Sequence, residues 1–315
     1  MATLSKTAAQ DQAQTSGGFS FTSLNWGKIL LWAVMIFLIA ITLFPFYWVI
    51  RTSLTDPTSI YAHADELLPS GTTLFNFQRV LGMIDPSTLV GQDTTNISAG
   101  VINFWVYLRN SFIVSGLITF GQTLFSSMAA YAFARIRFPF REQLFFFYLT
   151  GLMVPGIVLF IPNFVLIRQL GLIGSFVGVI APYFLMSPFA VFFMRQFFLS
   201  LNKDLEEAAL LDGATVFGVF WRIALPLIRG PLLTLGLLTF IGAWNEYLWP
   251  FLVGRDEEIR VLTVALNIFK SQTPQGTADW AGLMAGTVIS IVPTMILFLF
   301  FGRRVVDSIQ FSGFK

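Results

Sequence analysis

The sequence predicts an all-α, polytopic membrane protein with six transmembrane helices and one long inner loop made of two short helices. Three observations lead there. Of the 315 residues, 55% are hydrophobic and only 11% are charged, a balance far too apolar for a soluble chain of this length. Six stretches approach or exceed the ~20 apolar residues that a helix needs to cross hydrocarbon. Lys and Arg, finally, collect in alternate connections. A mean hydropathy of +0.73 and 36 Phe fit a surface that faces lipid. The net charge of +2 gives no reason to expect nucleic acid, and the absence of Cys rules out disulfides, thiolate metal sites and cysteine nucleophiles.

Residues 1–27 are polar and rich in Ala, Gln, Ser and Thr, without the basic start and small-residue cleavage site of a signal peptide, and are expected to form a disordered cytoplasmic leader. The remaining 28–315 read as one six-span domain. The spans fall near 29–50, 111–134, 144–167, 174–194, 231–253 and 281–302, the fifth interrupted only by Glu246. With the N-terminus inside, the short inner segments carry Arg135, Arg137, Arg141, Arg195, Lys203, Arg222, Arg229, Arg303 and Arg304. The outer ones are longer, and their basic residues are diluted by acids. Both termini are therefore expected in the cytoplasm. The outer loops 52–110 and 254–280 are long enough to hold surface helices or to meet a partner, or simply to connect. His63, the single histidine, has no companion ligand and is given no role.

Residues 195–230, between spans four and five, are longer than a bundle turn requires. Asp204 stands as a candidate cap with Glu207 three residues on, and Ala and Leu recur at helical spacing through Leu211. Asp212-Gly213 then breaks the helix, because Gly adopts the left-handed conformation that ends one. A second helix is marked by Phe217, Phe220, Ile223 and Leu225, and Pro226 ends or kinks it. Two short amphipathic helices on a rigid bundle suit docking into a groove of another protein, which would pass that partner's motion to the spans. The competing reading is a helix resting on lipid, which usually carries Lys and Arg, whereas this one leads with Asp204, Glu206 and Glu207.

Glu207-Ala208-Ala209, two residues, Asp212-Gly213-Ala214, five residues, Phe220, two residues, Ile223, one residue and Leu225-Pro226 together resemble the coupling motif of permease subunits of binding-protein-dependent ATP-binding-cassette importers. Asn110-Ser111, the run from Ala129 to Arg135, Trp244-Asn245-Glu246-Tyr247-Leu248-Trp249-Pro250 and the terminal Ser312-Gly313-Phe314-Lys315 are similar to the carbohydrate branch, in particular to the smaller permease of maltose-type importers. The resemblance implies the type I importer permease architecture in the cytoplasmic membrane of a prokaryote. It also implies an ABC ATPase dimer gripping Glu207, Ala208, Ala209, Asp212, Gly213, Ala214, Phe220 and Pro226. Gly313, Phe314 and Lys315 would make a further ATPase contact, although Phe314 departs from the usual Gly-Ala-Val-Lys ending. A second homologous permease, an extracytoplasmic solute-binding protein and a sugar complete the expected partners, with lipid around them. ATP and Mg would be used by the partner ATPase, since no Gly-x-x-x-x-Gly-Lys-Ser/Thr loop is present and this chain is expected to bind no cofactor and no metal.

A carboxylate within a span is costly unless it faces a cavity or a partner, so Glu246 is either structural or part of a polar path. Trp244, Asn245, Glu246 and Tyr247 offer the stacking faces, donors and acceptors that a sugar uses, although Trp and Tyr also anchor at headgroups. Gln122 and Asn163 are further candidates for the solute path, or bridges between helices. Gly174-x-x-x-Gly178 and Gly282-x-x-x-Gly286 have the spacing of close-packing motifs, and Pro155, Pro182, Pro188 and Pro293 are expected to kink their spans. Two rivals stand beside this reading: the same machinery moving a non-sugar solute, and an ion-coupled secondary transporter relaying through Glu246. A membrane-embedded enzyme lacks acid–base and metal candidates.

Overall fold

A computed structural model describes residues 26–84, 102–271 and 277–310. The leader residues 1–25 and the terminal Gly313, Phe314 and Lys315 lie outside the described residues. The described chain is helical, with no strand, and divides into two units, 1–48 and 49–315. The first unit contributes most of α1 (Trp26–Ser53), a helix apolar on every side, as lipid requires.

In the second unit, the last turn of α1 is buried and organises the loop that follows it. Arg51 donates to the carbonyls of His63 (2.8 Å) and Leu68 (3.2 Å), and Asn76 on α2 (Phe75–Val80) donates to those of Ser53 (2.9 Å) and Thr55 (2.8 Å). The sequence then runs into α3 (Phe104–Arg135), whose 32 residues contain no proline. α4 (Arg141–Leu149) and a 3₁₀ turn (Thr150–Met153) meet α5 (Gly156–Gln169) at 95°, with Pro155 at the break. α6 (Phe176–Phe184) and α7 (Pro188–Ser200) meet at 45°.

The connection after α7 holds α8 (Lys203–Leu211), α9 (Val216–Val219), a π turn (Phe220–Ala224) and α10 (Leu225–Leu227), followed at 81° by α11 (Arg229–Asn245). Short helices α12 (Leu248–Val253), α13 (Leu262–Ala265) and α14 (Ile268–Ser271) lead to α15 (Trp280–Gln310). By length and composition α1, α3 and α15 can each cross a membrane, and the three bent pairs raise the number of spans to six.

The kinks expected at Pro155 and at Pro182 and Pro188 appear as the 95° and 45° breaks of the third and fourth spans. One expectation changes in detail. The fifth span ends as a helix at Asn245, passes through extended Glu246 (ψ 128°) and resumes at Leu248.

The core sits in three clusters, and α3 enters all of them. Phe104 and Tyr107 pack with α13, α14 and α15; Val114 and Ile118 pack with Trp249, Val179 and Val261; Ala130, Tyr131 and Ala134 pack with Met194, Phe198 and Phe220. The glycine pairs meet loop and short-helix atoms, not another long span. A Cβ on Gly178 would strike the carbonyl of Leu172, and one on Gly286 would strike Leu266. Gly174 has φ +79° and sits in a turn, its N–H donating to Val253 O at 2.9 Å.

The start of α15 is tied to the first outer loop by an ion pair, Arg79 Nη1 to Asp279 Oδ2 at 2.6 Å, with the two side chains 7% and 0% exposed. Asp279 also accepts from the N–H of Gly282 (2.8 Å), and Arg79 lies over the ring of Phe269. Removing one partner leaves a buried charge. Asp279→Ala is expected to destabilise the chain by about 3–5 kcal/mol, while replacing Arg79 and Asp279 together with apolar residues costs far less; thermal unfolding of the purified protein in detergent compares the two.

Candidate functional site

The inner loop shows why its residues stand at their spacing. α8 is capped by Asn202, whose Oδ1 accepts from the N–H of Asp204 (3.1 Å), so the cap lies two residues before the Asp204 expected from sequence. Asp204 and Glu206 occupy the first turn, where the helix dipole favours acids. At the other end the N–H of Gly213 donates to Leu210 O (3.1 Å) and that of Ala214 to Ala209 O (2.9 Å). This pair of bonds is a Schellman closure, and it demands left-handed backbone at Gly213, which has φ +87°. A Cβ there would meet nothing within 4 Å, so the glycine serves conformation and not clearance. Thr215 restarts the helix at once, its Oγ1 accepting from Gly218 N–H at 3.1 Å. Pro226 does not terminate the second helix. The π turn comes just before it and the bend falls at Ile228 (φ −101°, ψ 25°).

Burial on the loop reverses the usual pattern. Leu211 is 89% exposed and Phe217 61% exposed; Glu207 and Ala208 are also exposed and Ala209 is half-buried. The one buried side chain of α8 is an acid, Glu206, at 8% exposure. Arg135 Nε lies 3.0 Å from Glu206 Oε1, the hydroxyl of Tyr131 donates to Oε2 (3.2 Å), and Arg135 Nη2 donates to Leu201 O (2.6 Å). Phe220 is buried, with its ring 5.2 Å from that of Tyr131 and 6.2 Å from that of Phe198. Beyond the elbow, Gly213, Ala214, Phe217, Trp221 and Arg222 border an open concavity of about 720 Å³. Sequence reasoning singled out Glu207 and passed over Glu206, Arg135 and Tyr131. The available signal was Arg135, a basic residue ending an apolar span beside an acid-rich loop.

Within the bundle, α3, α6, α7, α11 and α12 enclose a cavity of about 330 Å³. Of the six solute-path candidates, Gln122 and Glu246 line it. Tyr183, Thr239 and Ser187 line it too and were missed, each being a lone polar residue in an apolar run. The lining has one carboxylate and no Lys or Arg. Trp244 is turned away: it is buried, donates to Ser290 O (3.2 Å) on α15 and stacks on Phe240. Asn245 is exposed and donates to Ile241 O (2.8 Å), Tyr247 stacks on Phe251, and Asn163 is half-buried on α5; none of the three lines the cavity. Glu246 Oε1 accepts from the N–H of Trp249 (3.2 Å) at the start of α12, and Trp249 in turn donates to Val179 O (3.2 Å).

At the opposite end of α3, Asn110 donates to the carbonyls of Glu258 (2.7 Å) and Arg260 (3.0 Å), and Ser111 Oγ accepts from Leu262 N–H (2.8 Å). Asn110-Ser111 thus clamps the second outer loop.

An all-α bundle with broken spans, a mostly apolar cavity that holds a few polar side chains and a protruding helix pair is the form of a transport permease. Residues 122–310 match the family model of the binding-protein-dependent transport system inner membrane component, and the chain belongs to that family. It is the membrane-spanning permease component of an ABC importer. It is 35% identical over 290 residues to the arabinooligosaccharides transport system permease protein AraQ of Halalkalibacterium halodurans, covering 91% of this chain and 97% of that one. It is 32% identical over 287 residues to the sn-glycerol-3-phosphate transport system permease protein UgpE of Escherichia coli O157:H7, covering 90% and 97%. Among solved structures, a chain of a bacterial ABC transporter involved in the import of the acidic polysaccharide alginate matches with a TM-score of 0.72 at 22% identity, over 88% of this chain and 95% of that one, a likeness of fold.

The two roles open to Glu246 separate by substitution. Glu246→Gln keeps an oxygen for the Trp249 N–H, whereas Glu246→Ala removes it at about 1 kcal/mol, as for other capping losses. The melting temperature is therefore expected to fall for the alanine variant and to stay near wild type for the glutamine one.

Proposed function

We propose that this permease takes a neutral sugar through the cavity at Glu246, driven by an ABC ATPase dimer docked on α8 and its elbow. The observation that carries the docking reading is the inverted burial of α8, with leucines outside and an acid inside. A helix whose apolar residues face outward on a protruding loop is stabilised by a groove that covers them. Glu207, Ala208, Ala209, Asp212, Gly213 and Ala214 are assigned to that contact, with Phe220 and Pro226 setting the second helix against the body. Gly313, Phe314 and Lys315 are assigned to a second contact with the ATPase. ATP and Mg bind the ATPase and not this chain.

A second homologous permease completes the pathway, an extracytoplasmic binding protein delivers the solute, and both termini lie in the cytoplasm. The charge pattern of the loops supports that orientation, with Arg135, Arg195 and Lys203 beside the docking helices. The cavity supports the solute class. About 330 Å³ is at the lower end of the range for small-molecule pockets. Gln122, Tyr183, Thr239 and Glu246 supply donors and acceptors for hydroxyls, while an unbalanced carboxylate disfavours an anion. The named relatives span both possibilities, arabinooligosaccharides and the anionic sn-glycerol-3-phosphate.

Two experiments test these assignments. Gly213→Val forces a β-branched residue into left-handed backbone, at a cost above the ~1–2 kcal/mol charged to ordinary residues there. It is expected to abolish uptake while the binding protein still captures solute, and Gly213→Asn is expected to retain uptake; normal uptake by the valine variant contradicts docking at the elbow. In proteoliposomes holding the whole transporter, a survey of neutral, phosphorylated and uronate saccharides should show uptake confined to the neutral ones. Equal uptake of a charged sugar rules out a neutral solute.

A further inference from the structure

We propose that α3 is a transmitting strut, joined to the docking loop by Glu206, Arg135 and Tyr131 and to the second outer loop by Asn110 and Ser111. In this assignment Glu206 and Arg135 are positioning residues, through which the state of the ATPase reaches the outer face. The proposal rests on the docking reading above.

The covalent route from the docking helices into the bundle is poorly suited to carrying a push. It passes through a π turn and an 81° bend before α11 begins. The routes through α4 and α5 and through α6 and α7 are broken by 95° and 45°. α3 has no such break: 32 residues at about 1.5 Å each span roughly 48 Å, and its side chains enter all three core clusters.

The inner joint has the geometry of a fixed coupling. Glu206 Oε2 accepts from the Tyr131 hydroxyl at 3.2 Å and Oε1 lies 3.0 Å from Arg135 Nε, so the carboxylate is held from two sides. The second arm of Arg135 holds Leu201 O, just before α8. An apolar contact permits sliding, whereas a dry ion pair with a neighbouring hydrogen bond to the same carboxylate favours one register. Phe220 against Tyr131 brings the second docking helix onto the same point of α3. At the outer joint three hydrogen bonds run from the Asn110-Ser111 pair to backbone atoms of residues 258–262, so a shift of α3 displaces that loop as a unit. A continuous element engaged at both ends is a physical candidate for coupling, and only a measurement of coupling establishes it.

The chain has no cysteine, so Glu257→Cys places a single label on this loop, at a side chain 81% exposed. The labelled permease is assembled with its ATPase, second permease and binding protein in proteoliposomes, and the label signal is followed on adding ATP. The wild-type background is expected to respond. Glu206→Gln is expected to keep the ATPase bound, lose the response and slow uptake about tenfold, within the usual range of coupling between two sites. Glu206→Arg combined with Arg135→Glu is expected to restore at least part of the response, which a merely structural loss would not allow. A wild-type response in Glu206→Gln, a swap no better than the single variant, or loss of ATPase binding in Glu206→Gln each overturns the strut. Failure of the docking reading looks different: the ATPase would stay bound and active when Leu211→Glu alters the exposed face, whatever Glu206 does.

Discussion

Hydrocarbon cannot hydrogen-bond a backbone, so every crossing segment must satisfy its own amides, and breaks survive only where neighbours repair them. The unbroken helix α3 makes the breaks around it tolerable. α3 supplies a face to each of the three core clusters, and the bent pairs α4/α5, α6/α7 and the docking helices with α11 are arranged with it as common reference. Polar residues at its two ends meet the loops, Asn110 and Ser111 one of them and Tyr131 and Arg135 another.

What could be read from sequence follows from which properties are local. The left-handed turn at Gly213 was legible, because only glycine takes that backbone without strain, and the Schellman bonds from Gly213 and Ala214 are its direct expression. Apolar length was legible too. The 95° break at Pro155 was visible only as a residue, since hydropathy averages over a window and carries no direction. Glu206 and Glu207 are adjacent, and which of them faces inward depends on where Arg135 lies, about seventy positions earlier. The glycine pairs misled for the same reason: their spacing fits two packed helices, but Gly178 and Gly286 receive loop and short-helix atoms instead.

The polar side chains of the cavity were half legible. Gln122 and Glu246 stand out as polar residues inside apolar runs, and both reach it. Trp244 stood beside Glu246 in the same sequence motif and was grouped with it, yet the helix turns its indole toward α15. Trp244 and Asn245 end α11, where adjacent residues point about 100° apart, and Glu246 follows in extended backbone, so the four residues do not share one face. Glu246 also gives Trp249 its capping contact, so one carboxylate shapes the break between α11 and α12 while facing the cavity that the break helps to form.

The separation of α8 into an outward leucine face and one inward acid has a consequence for design. Under the proposed docking, specificity for a particular motor and fidelity of the linkage belong to different residues, so one can be rewritten while the other is held. A chimaera that borrows Leu205, Leu210, Leu211 and Phe217 from another permease, while keeping Glu206 opposite Arg135, would change which engine it accepts and leave its own gearing intact.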